Sequence, residues 1–343
     1  LVWIHFNVDY PFNLKGILYF PRLKNQFDTL EGQVKLYSNQ VFVADNIKEV
    51  IPEFLLLLKG TIDCPDIPLN VSRSFLQNDP DVQKISDHIT KKVADKLISL
   101  YDNERDNYNS YWDDINPFIK YGCMQDYSFY DQVKEILIYK NIDDEYLTLE
   151  EYLEENKDKH EDKVYYVTDK NQQAQYVNLF KEQGLDAVIL DTPIDNAFIQ
   201  FLENYSTDVK FYRIDSDIAD SIKSDDKGLD KTDKKKLKSV FEKALDGKDI
   251  KVDVQSLKAN TVPAIMLLAE ESRRMKEFSR QLGMDFGPMP EGNEQTLVLN
   301  DSNELIKLLT TLDYEDKKDD VELICHQIYD LAMLGHEPLE PEE

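Results

Sequence analysis

The sequence predicts a multidomain α+β (mixed α/β) protein, and three observations predict it. Short segments of alternating polarity open the chain, the pattern of half-buried strands joined by turns. A β-α-β-α-β order runs through residues 164–214 and implies a small parallel-rich sheet. A polar break at 215–236, dense in Asp, Ser and Lys, separates that run from a second set of strands and helices. With 343 residues, 41% of them hydrophobic, the chain is long enough for two or three packed domains.

The elements follow in order. Residues 3–9 alternate, with Trp3, His5 and Asn7 on one side and Val2, Ile4, Phe6 and Val8 on the other, which predicts a strand with one apolar face. Residues 34–43 read as a hairpin turning at Ser38-Asn39. Residues 50–58 read as a buried helix, with Pro52 in its first turn and Gly60 as its stop. Asp79 can cap the next helix, with Pro80 at its first position. Val82, Ile85, Ile89, Val93, Leu97 and Leu100 then form one apolar stripe reaching about Tyr101. Residues 108–135 are aromatic-rich and helical, with breaks expected near Pro117 and Gly122. Thr148 and Glu151 have capping-box spacing. Strands at 164–168, 187–190 and 209–214 alternate with helices at 172–183, ended by Gly184, and 197–204. After the break come strands at 250–257, 264–268 and 295–299 and a helix at about 303–312. A final helix carries Val321, Ile324, Ile328 and Leu331 on one stripe. No repeat of solenoid period is visible.

Composition narrows the function classes. The net charge of -27 repels phosphate backbones, so nucleic acid is not an expected partner. The excess of acid reads as a solvated surface. The longest apolar run, 54–58, is far too short for a bilayer, and these residues show no charged start followed by an apolar signal core. Three widely spaced cysteines fit a reducing, cytoplasmic setting and make neither a disulfide frame nor a zinc site. The five histidines lack ligand spacing, so no metal site is expected. Asp285-Phe286-Gly287 spells a kinase triplet without the accompanying loops, and Asp215-Ser216-Asp217 lacks the later residues of a calcium loop. The 164–214 sheet has no glycine-rich phosphate loop.

Two segments carry candidate chemistry. In 66–78, Arg73 and Gln77 stand four residues apart just ahead of a long helix, so a helical turn would aim both the same way. A guanidinium fork beside an amide suits a phosphate or carboxylate. From chemistry alone, a surface arginine beside a helix start is the commoner reading, because exposed arginines are frequent. Farther on, Met275, Phe278 and Leu282 lie at helical spacing, followed by Met284, Phe286 and Met289. Such a stripe is either core or an adaptable apolar binding face.

The wording of these segments adds a family. Residues 68–77, PLNVSRSFLQ, closely resemble the catalytic-loop motif in the middle domain of the heat-shock-protein-90 chaperones, in their bacterial branch. Phe6-Asn7-Val8, Gly16 to Pro21, Val34 to Tyr37, Val41 to Asp45, Ile51 to Leu55 and Leu58-Lys59-Gly60 resemble that domain's landmarks, in order. So do Phe118-Ile119-Lys120-Tyr121-Gly122 and Asp191-Thr192-Pro193-Ile194-Asp195. The likeness is strong over 1–222 and weaker, though still in order, to the end.

The resemblance implies a middle domain at 1–222, with an α/β part at 1–107, a helical connector at 108–138 and a small α/β part at 139–222. A C-terminal dimerisation domain at 223–343 would follow, without the further helix that usually ends the family. Because the chain opens on Leu1, it is expected to be a piece whose nucleotide-binding domain precedes it. The implied activity is ATP-driven clamping on non-native client proteins by a homodimer. Arg73 would reach the γ-phosphate of ATP, which the absent domain holds with its magnesium. Gln77 would accompany it, and Asn70 and Ser72 would belong to the same γ-phosphate loop. Phe42 and Ile67 would lie where the nucleotide domain docks, with buried core as the other reading for both. Met275, Phe278 and Leu282 would contact clients. No cofactor or ATP hydrolysis is expected of this piece alone. Two other classes are an acidic binding scaffold without a nucleotide role, which predicts Arg73 in an internal ion pair, and an enzyme built on the 164–214 sheet. The enzyme predicts perturbed carboxylates at the carboxyl ends of those strands.

Overall fold

The computed structural model describes residues 2–10, 12–21, 33–46, 50–67, 80–160, 163–205, 209–216, 222–224, 228–248, 250–268, 295–312, 314 and 316–335. The fold is mixed α and β. The chain divides into two compact units, one of Leu1–Tyr139, Tyr146–Glu150 and Thr192–Tyr205, the other of Lys140–Glu145, Glu151–Asp191 and Ser206–Glu343.

The first unit is built on a five-stranded sheet of β1 (Trp3–Val8), β2 (Leu14–Tyr19), β3 (Gln33–Ser38), β4 (Val41–Asp45) and β5 (Lys59–Asp63), in the order β1-β2-β5-β3-β4. Only the β3–β5 pair is parallel. Alternation in β1 buries Ile4 and Phe6 and leaves Trp3 exposed, as its polarity pattern predicts. The β3–β4 hairpin turns at Asn39-Gln40, one residue later than expected. Both residues have positive φ, as a turn matching strand twist requires.

Residues 50–58 hold only a short 3-10 helix, Glu53–Leu57. Gly60 does not stop it. Gly60 lies inside β5, where a Cβ would fall 2.0 Å from the Ile17 carbonyl oxygen of β2. Close approach of two backbones, not helix termination, accounts for this glycine.

Three helices follow: α1 (Pro80–Asn103), α2 (Arg105–Gln125) and α3 (Tyr127–Val133). The α1 stripe is buried at every expected position from Val82 to Leu100. Pro117 and Gly122 do not break α2. Proline at 117 leaves the Asp113 carbonyl without its usual donor, and the Asn116 side-chain amide reaches it at 3.3 Å while holding Trp112 O at 2.9 Å. A Cβ on Gly122 would sit 2.7 Å from the Phe54 ring and 3.0 Å from the Phe129 ring. The glycine lets those rings, 4.8 Å apart, pack against the helix.

Strands β6 (Ile138–Lys140) and β7 (Tyr146–Thr148) form a short ribbon. Helix α4 (Leu149–His160) begins directly after Thr148. In the second unit, β8 (Lys163–Val167), α5 (Ala174–Glu182), β9 (Val188–Ile189) and β10 (Lys210–Arg213) make the expected parallel sheet, in order β10-β8-β9. Between β9 and β10 runs α6 (Asp195–Tyr205), which belongs to the first unit. Next come α7 (Lys231–Ala244), β11 (Ile250–Gln255), β12 (Ala264–Leu268), β13 (Gln295–Asn300), α8 (Glu304–Thr311) and α9 (Lys318–Leu334).

Sheet β11-β13-β12 is buried on both faces. Ile265 and Val298 join a core with Tyr165, Phe180 and Ile214, so apolar residues from both sides of the 215–236 break share one interior. Met266, Leu297 and Leu299 face α7, α8 and α9 through Phe241, Ile306 and Ile328. The Tyr176 hydroxyl donates to Met266 O and accepts from Met266 N at 3.2 Å, covering part of the β12 edge. The final helix corrects one expectation. Val321, Cys325, Ile328 and Ala332 are buried, Ile324 is half-buried, and Leu331 is 58% exposed. Apolar side chains occupy two faces of α9, and periodicity does not say which face meets the sheet.

Candidate functional site

The segment between β5 and α1 is the candidate site. Asn70, Ser72, Arg73 and Gln77 lie outside the described residues, and so do Met275, Phe278 and Leu282. Both ends of the Arg73 segment are described, and both belong to the first unit.

The upstream end is tied down by five hydrogen bonds. Cys64 N donates to Tyr37 O at 2.9 Å, and Ile67 N donates to Cys64 O at 3.2 Å, closing a turn. The Ser38 hydroxyl, itself buried, donates to Ile67 O at 2.8 Å. The carboxylate of Asp66 accepts from Asn13 N at 2.7 Å, and that of Asp63 from Gln40 N at 3.0 Å. The stem is thus held by β3, the hairpin turn and the segment before β2. Such anchoring is what precise placement of a side chain needs. The downstream end enters α1 at Pro80, whose missing N–H costs nothing at a helix start.

Phe42 and Ile67 have different surroundings. Phe42 is 51% exposed on β4, its ring 5.8 Å from Tyr37 in an edge-on contact. Ile67, part of the stem, is buried, so the two do not form one exposed patch. Cys64 is also buried, and burial pushes its thiol up to about 11, with the Asp66 carboxylate adding to the rise. It carries no thiolate for nucleophilic work at neutral pH. Burial likewise raises Cys123 strongly and Cys325 to about 12.

Sequence reasoning named two landmark segments without foreseeing that they meet. The ammonium of Lys120 on α2 lies 2.5 Å from Asp195 Oδ1 at the start of α6, with both side chains buried. The other carboxylate oxygen, Oδ2, accepts from Thr192 N at 2.9 Å and Thr192 Oγ1 at 2.7 Å. A lysine on an otherwise apolar helix face and a distant acid were the available signal; their pairing is visible only in three dimensions.

The 164–214 sheet offers little to an enzyme reading. Asp186 is held above the usual carboxylate range, chiefly by burial. It accepts from Asn141 Nδ2 at 2.9 Å and from Ala187 N at 2.7 Å. It precedes β9 and so stands at the entry end of that strand, whereas ligands of parallel sheets bind beyond the carboxyl ends. Beyond the carboxyl end of β10, Asp215 pairs bidentately with Arg213 at 2.5 and 2.7 Å. Among the described residues no helix is long and apolar enough to cross a membrane.

Comparison with known proteins agrees with the resemblance read from the sequence. The family model described as "Hsp90 protein" matches residues 1–338. The chain is 40% identical over 321 residues to "Chaperone protein htpG" of Bacteroides fragilis, covering 90% of this chain and 47% of that protein. It is 38% identical over 340 residues to "Chaperone protein HtpG" of Bacteroides thetaiotaomicron, covering 95% and 48%. A Porphyromonas gingivalis protein of the same name is 40% identical over 322 residues, covering 89% and 46%. The chain spans about half the length of the curated relatives it matches.

Proposed function

The chain belongs to the Hsp90 family, and from that premise we propose that it is the client-handling and ATPase-completing part of an ATP-dependent molecular chaperone. In this reading Arg73 extends from its loop to the γ-phosphate of an ATP that a separate nucleotide domain holds with its magnesium. There it neutralises charge spreading over the phosphoryl oxygens. Gln77 orders the same loop, and Asn70 and Ser72 line it. The observation that carries the proposal is the anchored stem, with Ser38, Asn13 and Tyr37 bonded to the residues just before the loop. An arginine serving another domain's ligand needs a fixed base, because a small displacement of a charged group forfeits much of its effect.

The nucleotide domain docks over the exposed ring of Phe42, while buried Ile67 anchors the stem. Clients meet Met275, Phe278 and Leu282. A second protomer covers the outward leucines of α8 and α9, among them Leu308, Leu323 and Leu331, which are 52%, 62% and 58% exposed. The working location is the cytoplasm.

The test is ATP turnover by the full-length protein. Arg73→Ala lowers turnover at least about tenfold while ATP affinity stays within about twofold, the pattern of a contact made only in the transition state. Unchanged turnover removes Arg73 from the mechanism. For the client face, Met275→Asp with Phe278→Asp weakens suppression of client aggregation and leaves the thermal transition in place. A lost transition would assign those residues to the core instead.

A further inference from the structure

We propose that the lysine face of α7 is a docking surface for an acidic polypeptide segment of a partner protein. Residues 231–238 read KTDKKKLK, five lysines and one acid in a chain whose net charge is -27. The helix turns Leu237, Phe241 and Ala244 inward. Lys231, Lys235 and Lys238 follow at i, i+4 and i+7 and so share one stripe.

Helix stability does not explain this arrangement. Lysines in the first turns oppose the macrodipole, which favours acids there. Lys231/Lys235 and Lys234/Lys238 are like-charge pairs at i, i+4, which destabilise a helix. Two of the lysines have structural work: Lys234 lies 2.8 Å from the buried Asp301 carboxylate, and Lys236 donates to Thr310 O at 3.1 Å. The others do not. Lys231 and Lys235 are exposed, and Lys238 stands 3.8 Å from the exposed Glu242. A run that costs helix stability, and leaves Lys231 and Lys235 exposed with Lys238 held only by a long ion pair, marks a place where local preference yields to recognition.

Charge complementarity names the occupant. The stripe from Lys231 to Lys238 spans about 10 Å along the axis, close to one Debye length at moderate salt. Three or four residues of an extended acidic peptide match that span. A nucleic acid overruns it onto the acidic remainder of the surface and is repelled. The proposal does not involve Arg73 and stands apart from the nucleotide reading.

The test is an amide-resolved NMR titration of this chain with hexaglutamate, with hexaglutamine and a single-stranded oligonucleotide as comparisons. Hexaglutamate is expected to shift the 231–239 amides, and its affinity to fall about tenfold between about 50 and about 200 mM salt. Lys231→Gln/Lys235→Gln/Lys238→Gln keeps the thermal transition, since glutamine retains helix propensity at exposed sites, and loses those shifts. Unmoved amides, shifts that survive in the triple variant, equal binding of hexaglutamine, or tighter binding of the oligonucleotide would each overturn the proposal.

Discussion

Replacing Lys120 with methionine is expected to lower the urea midpoint of the first unit sharply while leaving the slope of its transition unchanged. The ammonium sits 2.5 Å from Asp195 Oδ1, and both groups are buried. Methionine fills most of the volume of lysine but removes the charge. Asp195 then keeps only its two bonds from Thr192, at 2.9 and 2.7 Å, to hold a buried carboxylate. Breaking a buried pair from one side costs about 3–5 kcal/mol, because the surviving charge is uncompensated. The double variant Lys120→Met/Asp195→Asn should recover much of that loss, since no net charge stays inside. A single-variant loss below about 1 kcal/mol would mean that the pair is wet or readily rearranged. The contact joins residues 75 positions apart, so its loss loosens α6 from α2 and not merely one side chain.

Gly60→Ala is the second large effect. Gly60 lies in β5, between β2 and β3, with φ of +151°. A Cβ there would stand 2.0 Å from Ile17 O and 3.0 Å from both Ile17 C and Leu18 Cα. These are backbone atoms of a paired strand, so relief requires separating β2 from β5. The expected cost is about 3 kcal/mol or more, the range of strained backbone that its surroundings cannot relax. Gly184→Ala is the internal control. Its φ of +62° also disfavours a side chain, but nothing lies within 4 Å of the added carbon, so about 1 kcal/mol is expected. Comparable thermal shifts for the two variants would contradict the close approach at Gly60.

Much of the fold is legible in the chain because its cause is local. The α1 stripe from Val82 to Leu100 is buried as its spacing requires. The β8, β9 and β10 strands pair in parallel as the alternation of strands and helices implies. Gly184 takes the positive φ expected at a helix end. The two misread glycines share one cause. Gly60 and Gly122 both look like punctuation, yet each makes room for something remote in sequence: the β2 backbone for one, the rings of Phe54 and Phe129 for the other. Pro117 looks like a break because the rescue of the Asp113 carbonyl comes from the side chain of Asn116, which propensity does not count. At the candidate site, the motif of 68–77 points to the loop, but nothing in it announces that Ser38 and Asn13 fasten its stem.

What the amino-acid order determined by itself was most of the periodic elements and the absence of any bilayer-length apolar run, both written in spacing along the chain, and, through resemblance to known members, the Hsp90 family. Tertiary structure alone decided that Lys120 finds Asp195, that Leu331 turns outward while Cys325 turns in, and that Phe42 is exposed while Ile67 is buried. The physical reason is the same in each case. Burial, ion pairing and close packing are properties of two surfaces that meet, and a sequence lists only one of those surfaces at a time.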